Sequence, residues 1–231
     1  METILNADNC SLINYGAKCF QNLTEEEIEI VQKSRVSVQF RKNENLTKEG
    51  AFASYILFIV NGLVKQHVEG GTNKNYNLRL IKSGEFVGLS AIFNNNIFEY
   101  STIALTETQV FLIEKEIIRN LMKQNASFSY AIFQKYSEYT NRLFACIKSL
   151  SYKQMPGKLA ETLIYLNDEK FKDENVFFNL SRKDIADFAG ISTESAVKIL
   201  KNFEKDNIIT LSDKHITINQ LSTLQEICLK G

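Results

Sequence analysis

The chain has no tryptophan, a single proline and only two histidines, and its 27 Lys/Arg against 27 Asp/Glu leave no net charge. Each shortage excludes something. His67 and His215 fall in different expected domains, so they cannot supply the two or three imidazoles of a cupin-type metal enzyme. No nucleophile–base pair, P-loop or G-x-G-x-x-G stretch occurs, so no catalysis and no metal site are expected. No apolar run reaches the roughly 18 residues of a membrane-spanning helix. The first residues lack a basic-then-apolar secretory pattern. A cytoplasmic protein without membrane contact is the expectation. The four cysteines, Cys10, Cys19, Cys146 and Cys228, include no C-x2-C pair. They read as reduced thiols, with a redox or metal role for Cys10 and Cys19 left open.

What is present changes character along the chain, and 231 residues suffice for two domains with separate cores. Residues 1–34 read as a polar helical segment, with Thr24-Glu25-Glu26-Glu27 as a capping box. From Val36 the apolar period becomes two, as in Val36/Val38/Phe40 and Tyr76/Leu78/Leu80. Tyr55–Val60 and Leu63–Val68 flank Asn61-Gly62, a tight-hairpin signal. Many short strands with regular glycines predict an antiparallel β-roll over 35–115. Helix returns over 116–150. There Ile132, Tyr136, Tyr139, Leu143, Cys146 and Leu150 recur at steps of four and three, a heptad seam that predicts a dimer axis. Pro156, which suits a first helical turn, marks the hinge to a last domain, 151–231.

That last domain carries the sharpest signal. Ser181 is a candidate N-cap with Asp184 three residues on, Gly190 suits a turn needing positive φ, and Ser192 is a second candidate cap. Ala196, Ile199, Leu200 and Phe203 share one face of the helix that follows. A helix pair and a small hairpin (Ile208–Ile218) then present the second helix as a probe for a DNA groove. Glu can accept from cytosine N4 and Lys can donate to guanine, so Thr193, Glu194 and Lys198 are the candidate base readers. Charge offers no help here: Ser151–Gly231 holds 11 Lys/Arg and 12 Asp/Glu. Phosphate contact must come from where polar and cationic groups cluster: Ser181, Arg182, Ser192, Ser195, Lys201 and Lys214.

Arg182-Lys183-Asp184-Ile185-Ala186 and Gly190-Ile191-Ser192-Thr193-Glu194-Ser195 resemble the winged helix-turn-helix of the CRP/FNR (cyclic-AMP receptor protein/fumarate–nitrate regulator) family of bacterial transcription factors. Tyr55–Val64 and Ser83-Gly84-Glu85-Phe86-Val87-Gly88 resemble the family's cyclic-nucleotide-type β-roll. The resemblance implies an α+β fold: N-terminal antiparallel roll, long dimerisation helix, C-terminal winged helix-turn-helix. It implies a homodimer on an inverted-repeat operator in double-stranded DNA, and RNA polymerase as a further partner if the protein activates. Glu194 matches the family's base-reading Glu. The flanking Arg positions are Thr193 and Lys198, and Lys lacks the bidentate fork of Arg.

The same alignment puts Leu89 where the family binds ribose with Glu, Phe98-Glu99 where it binds phosphate with Arg-Ser, and Leu143 and Phe144 where hydroxyls read the purine. A buried phosphate without a cation loses its charge partner, so cyclic AMP is not the expected effector. The expected pocket is apolar, lined by Leu89, Ile92, Phe93, Phe98, Leu143 and Phe144. It is either a filled core or the seat of an unknown small effector. Haem would want an axial ligand such as His67 or a Cys, and an iron–sulfur cluster a tighter Cys group. The sequence thus predicts a DNA-binding regulator, with a module whose winged helix contacts protein as the alternative.

Overall fold

A computed structural model describes residues 2–3, 20–71, 74–93 and 96–231. Cys10, Cys19, Asn94, Asn95 and most of the N-terminal segment lie outside the described residues. The chain forms two compact units, one of Met1–Val68 with Leu80–Asn141, the other of Glu69–Arg79 with Arg142–Gly231.

In the first unit, β1 (Glu2–Thr3) is followed by α1 (Glu25–Ser34), β2 (Val36–Phe40), β3 (Asn45–Thr47), β4 (Tyr55–Asn61) and β5 (Val64–Gly70). Next come β6 (Lys74–Ile81), which counts with the second unit up to Arg79, β7 (Phe86–Val87), β8 (Ser101–Ala104), β9 (Thr108–Glu114) and α2 (Lys115–Gln124). The helix α3 (Ala126–Tyr152) begins here and runs on unbroken for 27 residues. The expected capping box closes α1: Glu27 N–H donates to Thr24 Oγ1 at 3.3 Å, and Thr24 N–H donates to Glu27 Oε2 at 2.8 Å.

The strands form two antiparallel sheets, ordered β1-β2-β9-β4-β7 and β3-β8-β5-β6. One apolar cluster joins α1, α2 and α3 to one sheet through Val31, Phe58, Phe111, Ile118, Phe128 and Ile132. A second, with Val38, Ile59, Val64, Ile81, Phe98 and Val110, fills the space between the sheets.

Asn61-Gly62 corrects an expectation. β4 pairs with β7 and β9, whereas β5 pairs with β8, so the two strands do not form a hairpin. Gly62 carries the chain from one sheet to the other at φ +103°, and a Cβ there would lie 2.6 Å from the Glu107 carbonyl oxygen. The glycine serves a close backbone approach rather than a two-residue turn. The strands themselves explain why. Ile56–Val60 and Val64–His67 are buried on both faces, as strands inside a sandwich are.

The second unit holds the end of α3, then α4 (Met155–Leu166), α5 (Val176–Asn179), α6 (Arg182–Ala189), α7 (Thr193–Lys205), the hairpin β10 (Ile209–Ser212) and β11 (His215–Ile218), and α8 (Leu221–Lys230). Pro156 occupies the first turn of α4, where its missing N–H costs nothing. Among the described residues, no helix is long and apolar enough to cross a membrane, and no group of three or more His, Cys, Asp or Glu is placed to hold a metal ion.

Candidate nucleic-acid interface

Two serine caps and one glycine build the interface. Ser181 Oγ accepts from Asp184 N–H at 3.1 Å, while Asp184 Oδ2 accepts from Ser181 N–H at 2.8 Å. This reciprocal pair starts α6, and its carboxylate suits the positive end of the helix. Gly190 then ends α6 at φ +63°, the left-handed conformation a tight helix-to-helix turn needs. A Cβ on Gly190 would meet Leu150 Cδ2 at 2.5 Å. Gly190→Ala is therefore expected to cost about 1–2 kcal/mol of stability from the left-handed backbone alone. The midpoint of denaturant unfolding measures it.

Ser192 opens α7: its Oγ accepts from Ser195 N–H at 3.1 Å and donates to Ser195 Oγ at 2.9 Å. Ala196, Leu200 and Phe203 are buried beneath the helix, with Ile199 half-buried beside them. The opposite side faces solvent: Thr193, Glu194, Lys198 and Lys201 are all exposed. So are Ser181, Ser192 and Lys214, whereas Ser195 is half-buried.

Arg182 is committed elsewhere. Its guanidinium donates to the Asp213 carbonyl at 2.9 Å, tying α6 to the tip of the hairpin. Burial lowers its pKa, opposed by the charges of Asp213 and Glu204. The hairpin is the expected wing: Ser212 pairs with His215, and Asp213 takes φ +52° in the turn between them. Sequence reasoning missed Phe178. Its half-exposed ring lies 5.6 Å from the His215 ring, and Lys214 Nζ stands 5.6 Å above it. No local pattern links α5 to the wing, so only the tertiary structure reveals the pair. The turn also has neighbours the sequence did not announce: buried Asn77 donates to the Asp184 carbonyl at 2.9 Å, and the Tyr76 ring flanks Gly190.

The expected effector-pocket residues differ in their surroundings. Leu89 and Ile92 pack in the helix-side cluster, while Phe98 belongs to the cluster between the sheets and presses on Gly88. Phe93 is exposed, edge-on to Tyr136 at 6.4 Å. Leu143 is half-buried and Phe144 is 65% exposed. The roll's interior is more polar than expected, because Gln66, His67, Ser101 and Thr102 are all buried. Gln66 Nε2 donates to Tyr139 Oη at 2.8 Å, and Tyr100 Oη accepts from Gly88 N–H at 2.9 Å. His67, the residue a haem would want as its axial ligand, is thus part of that interior.

The expected seam of α3 is mixed in exposure, with Ile132 and Cys146 buried and Leu150 39% exposed. Ile132 is 1% exposed within the helix-side core. Cys146 is 4% exposed, its thiol 3.8 Å from the Leu78 carbonyl. Tyr136, Tyr139 and Leu143 are half-buried, and Leu150 abuts Gly190. A different row is open: Tyr130, Phe133, Phe144 and Ile147 are exposed, and with Ser137 and Thr140 they follow their own three–four spacing. The two polar members hid this row among the helix's apolar residues.

A capped, outward-facing second helix beside a two-stranded wing defines a winged helix-turn-helix DNA-binding protein, here joined to an antiparallel β-roll. The family models agree. Residues 37–125 match a cyclic nucleotide-binding domain and residues 157–227 a Crp-like helix-turn-helix domain, together more than half of the chain. The chain belongs to the CRP/FNR family of transcription regulators. It is 21% identical to the anaerobic regulatory protein of Bacillus subtilis, covering 83% of this chain and 82% of that protein. It is also 21% identical to a CRP-like cAMP-activated global transcriptional regulator of Mycobacterium tuberculosis, covering 90% and 95%. FixK2 from Bradyrhizobium japonicum has the same fold, with a TM-score of 0.73 at 16% identity over 84% of this chain and 96% of that one.

Proposed function

We propose that the protein is a homodimeric, sequence-specific regulator that reads an inverted repeat, with half-sites about 34 Å apart. The observation that carries this reading is the exposed, capped start of α7. In it Thr193, Glu194 and Lys198 face base edges in the major groove. Ser181, Ser192, Ser195, Lys201 and Lys214 hold phosphates, and Arg182 contributes by fixing the wing. The second copy packs on the Tyr130–Phe133–Phe144–Ile147 row of α3. Functionally the chain divides into a sensor roll over 35–115, a dimer helix over 116–150 and a DNA-binding domain over 151–231.

The roll senses a small effector other than cyclic AMP, because Leu89 and Phe98-Glu99 stand where ribose and phosphate would need Glu and Arg. The buried Gln66 and His67, with Gln66 Nε2 donating to Tyr139 Oη, support a ligand with polar groups. Effector binding shifts the balance between two arrangements of different DNA affinity. The regulator works in the cytoplasm, and contacts RNA polymerase where it activates.

Glu194 supplies the direct test. On an operator selected from random DNA, Glu194→Ala is expected to lose about 1–3 kcal/mol on the preferred site and to relax preference at one base position. Competition binding against single-base variants reads both. Unchanged preference at every position would remove Glu194 from the readout.

A further inference from the structure

A cluster outside the DNA-reading surface joins three helices of the second unit. Lys153 follows α3 directly, with its N–H bonded to the Ser149 carbonyl at 3.1 Å. Its Nζ donates to Cys228 Sγ on α8 at 2.8 Å and pairs with Glu161 Oε2 on α4 at 3.1 Å. Burial pulls the Lys153 pKa down, but hydrogen bonds to Cys228 and Glu161 outweigh it and leave the ammonium favoured. The lysine side chain is 17% exposed, and Cys228, a free thiol, is half-buried, so a molecule as small as a peroxide can reach the sulfur. Nitrogen and sulfur sit closer than van der Waals contact, which leaves little movement before a bond between them could form.

We propose that this cluster is an oxidation site at which hydrogen peroxide links Cys228 covalently to Lys153. The chemistry uses both charge states of the lysine. The Cys228 thiol gives its proton to solvent, and the thiolate attacks one peroxide oxygen. The O–O bond breaks, sulfur is oxidised by two electrons, and the departing hydroxide takes a proton from the Lys153 ammonium and leaves as water. A sulfenic acid and a neutral amine now face each other. The amine attacks the sulfenyl sulfur, the S–O bond breaks, and the second hydroxide leaves as water with the amine's proton. Thiol, ammonium and one peroxide become a sulfenamide, two waters and one proton. Glu161 holds the lysine in place throughout. The bond ties the end of α3 to α8, across the segment that leads into the helix-turn-helix, and an added thiol reverses it.

Peptide mapping by mass spectrometry of the full chain, treated with a small excess of hydrogen peroxide, tests the site. The expected product is a linked pair of peptides bearing Lys153 and Cys228, lighter than their sum by two hydrogen atoms and separated again by dithiothreitol. Lys153→Arg keeps the cation and the contact with Glu161 but offers no amine. In that variant Cys228 should stop at the sulfenic acid and be trapped by dimedone. Cys228→Ser should yield no linked pair. Oxidation of wild-type Cys228 to sulfinic acid without a linked pair would overturn the proposal. So would a Cys228 that stays reduced while Cys146 is oxidised.

Discussion

Raising salt from about 50 to 200 mM weakens operator binding by on the order of 10³-fold or more. The expectation is sharp because the protein carries no net charge to attract DNA at long range. Binding must come from local placement. Lys198, Lys201 and Lys214 are exposed on α7 and the wing turn, and Lys183 is exposed on α6. With Lys198 left to the bases, a dimer presents the other three twice, which gives six phosphate contacts, the lower end of the range for which so steep a slope is typical. Fluorescence anisotropy across a salt series gives the slope directly. A nearly flat response would mean that the winged helix meets a protein surface instead of nucleic acid. Lys201→Ala should lower the slope by about 1 per protomer without changing base preference, which separates a phosphate contact from a base reader.

Phe144→Glu should split the proposed dimer. Its ring is 65% exposed and Ile147, one turn on, is 59% exposed, so most of its surface is free of the described residues. Burying such a ring against a partner is worth about 1.5–3 kcal/mol. A twofold interface repeats the substitution in both copies. The loss is therefore about 3–6 kcal/mol, a dimer dissociation constant larger by about 10² to 10⁴. Analytical ultracentrifugation reads it, and circular dichroism checks that the monomer stays folded. An unchanged mass would place the partner on another face of α3.

Features held within three or four residues were legible in the sequence. The Thr24–Glu27 box, the Ser181 and Ser192 caps, Gly190 and the small hairpin within Ile208–Ile218 all depend on a residue and its near neighbours. Features that depend on distant partners were not. Asn61-Gly62 has the composition of a hairpin turn, yet the passage of Glu107 and Thr108 beneath it sends the strands into different sheets. On α3 two interleaved three–four series compete, and only the position of the roll decides that Ile132 looks inward and Phe133 outward. Leu89, Ile92 and Phe98 are likewise near in sequence, but they pack into two different apolar clusters, which no local pattern announces.

The bond from Arg182 to the Asp213 carbonyl has a mechanical consequence. It presets the span between α6, on which the reading helix packs, and the tip of the hairpin, much as a stay fixes a mast. DNA whose narrow groove beside the half-site already matches that span can be clasped with the stay intact. A stiffer or wider tract has to break it first, so flanking bases that no side chain touches would still be felt through their shape.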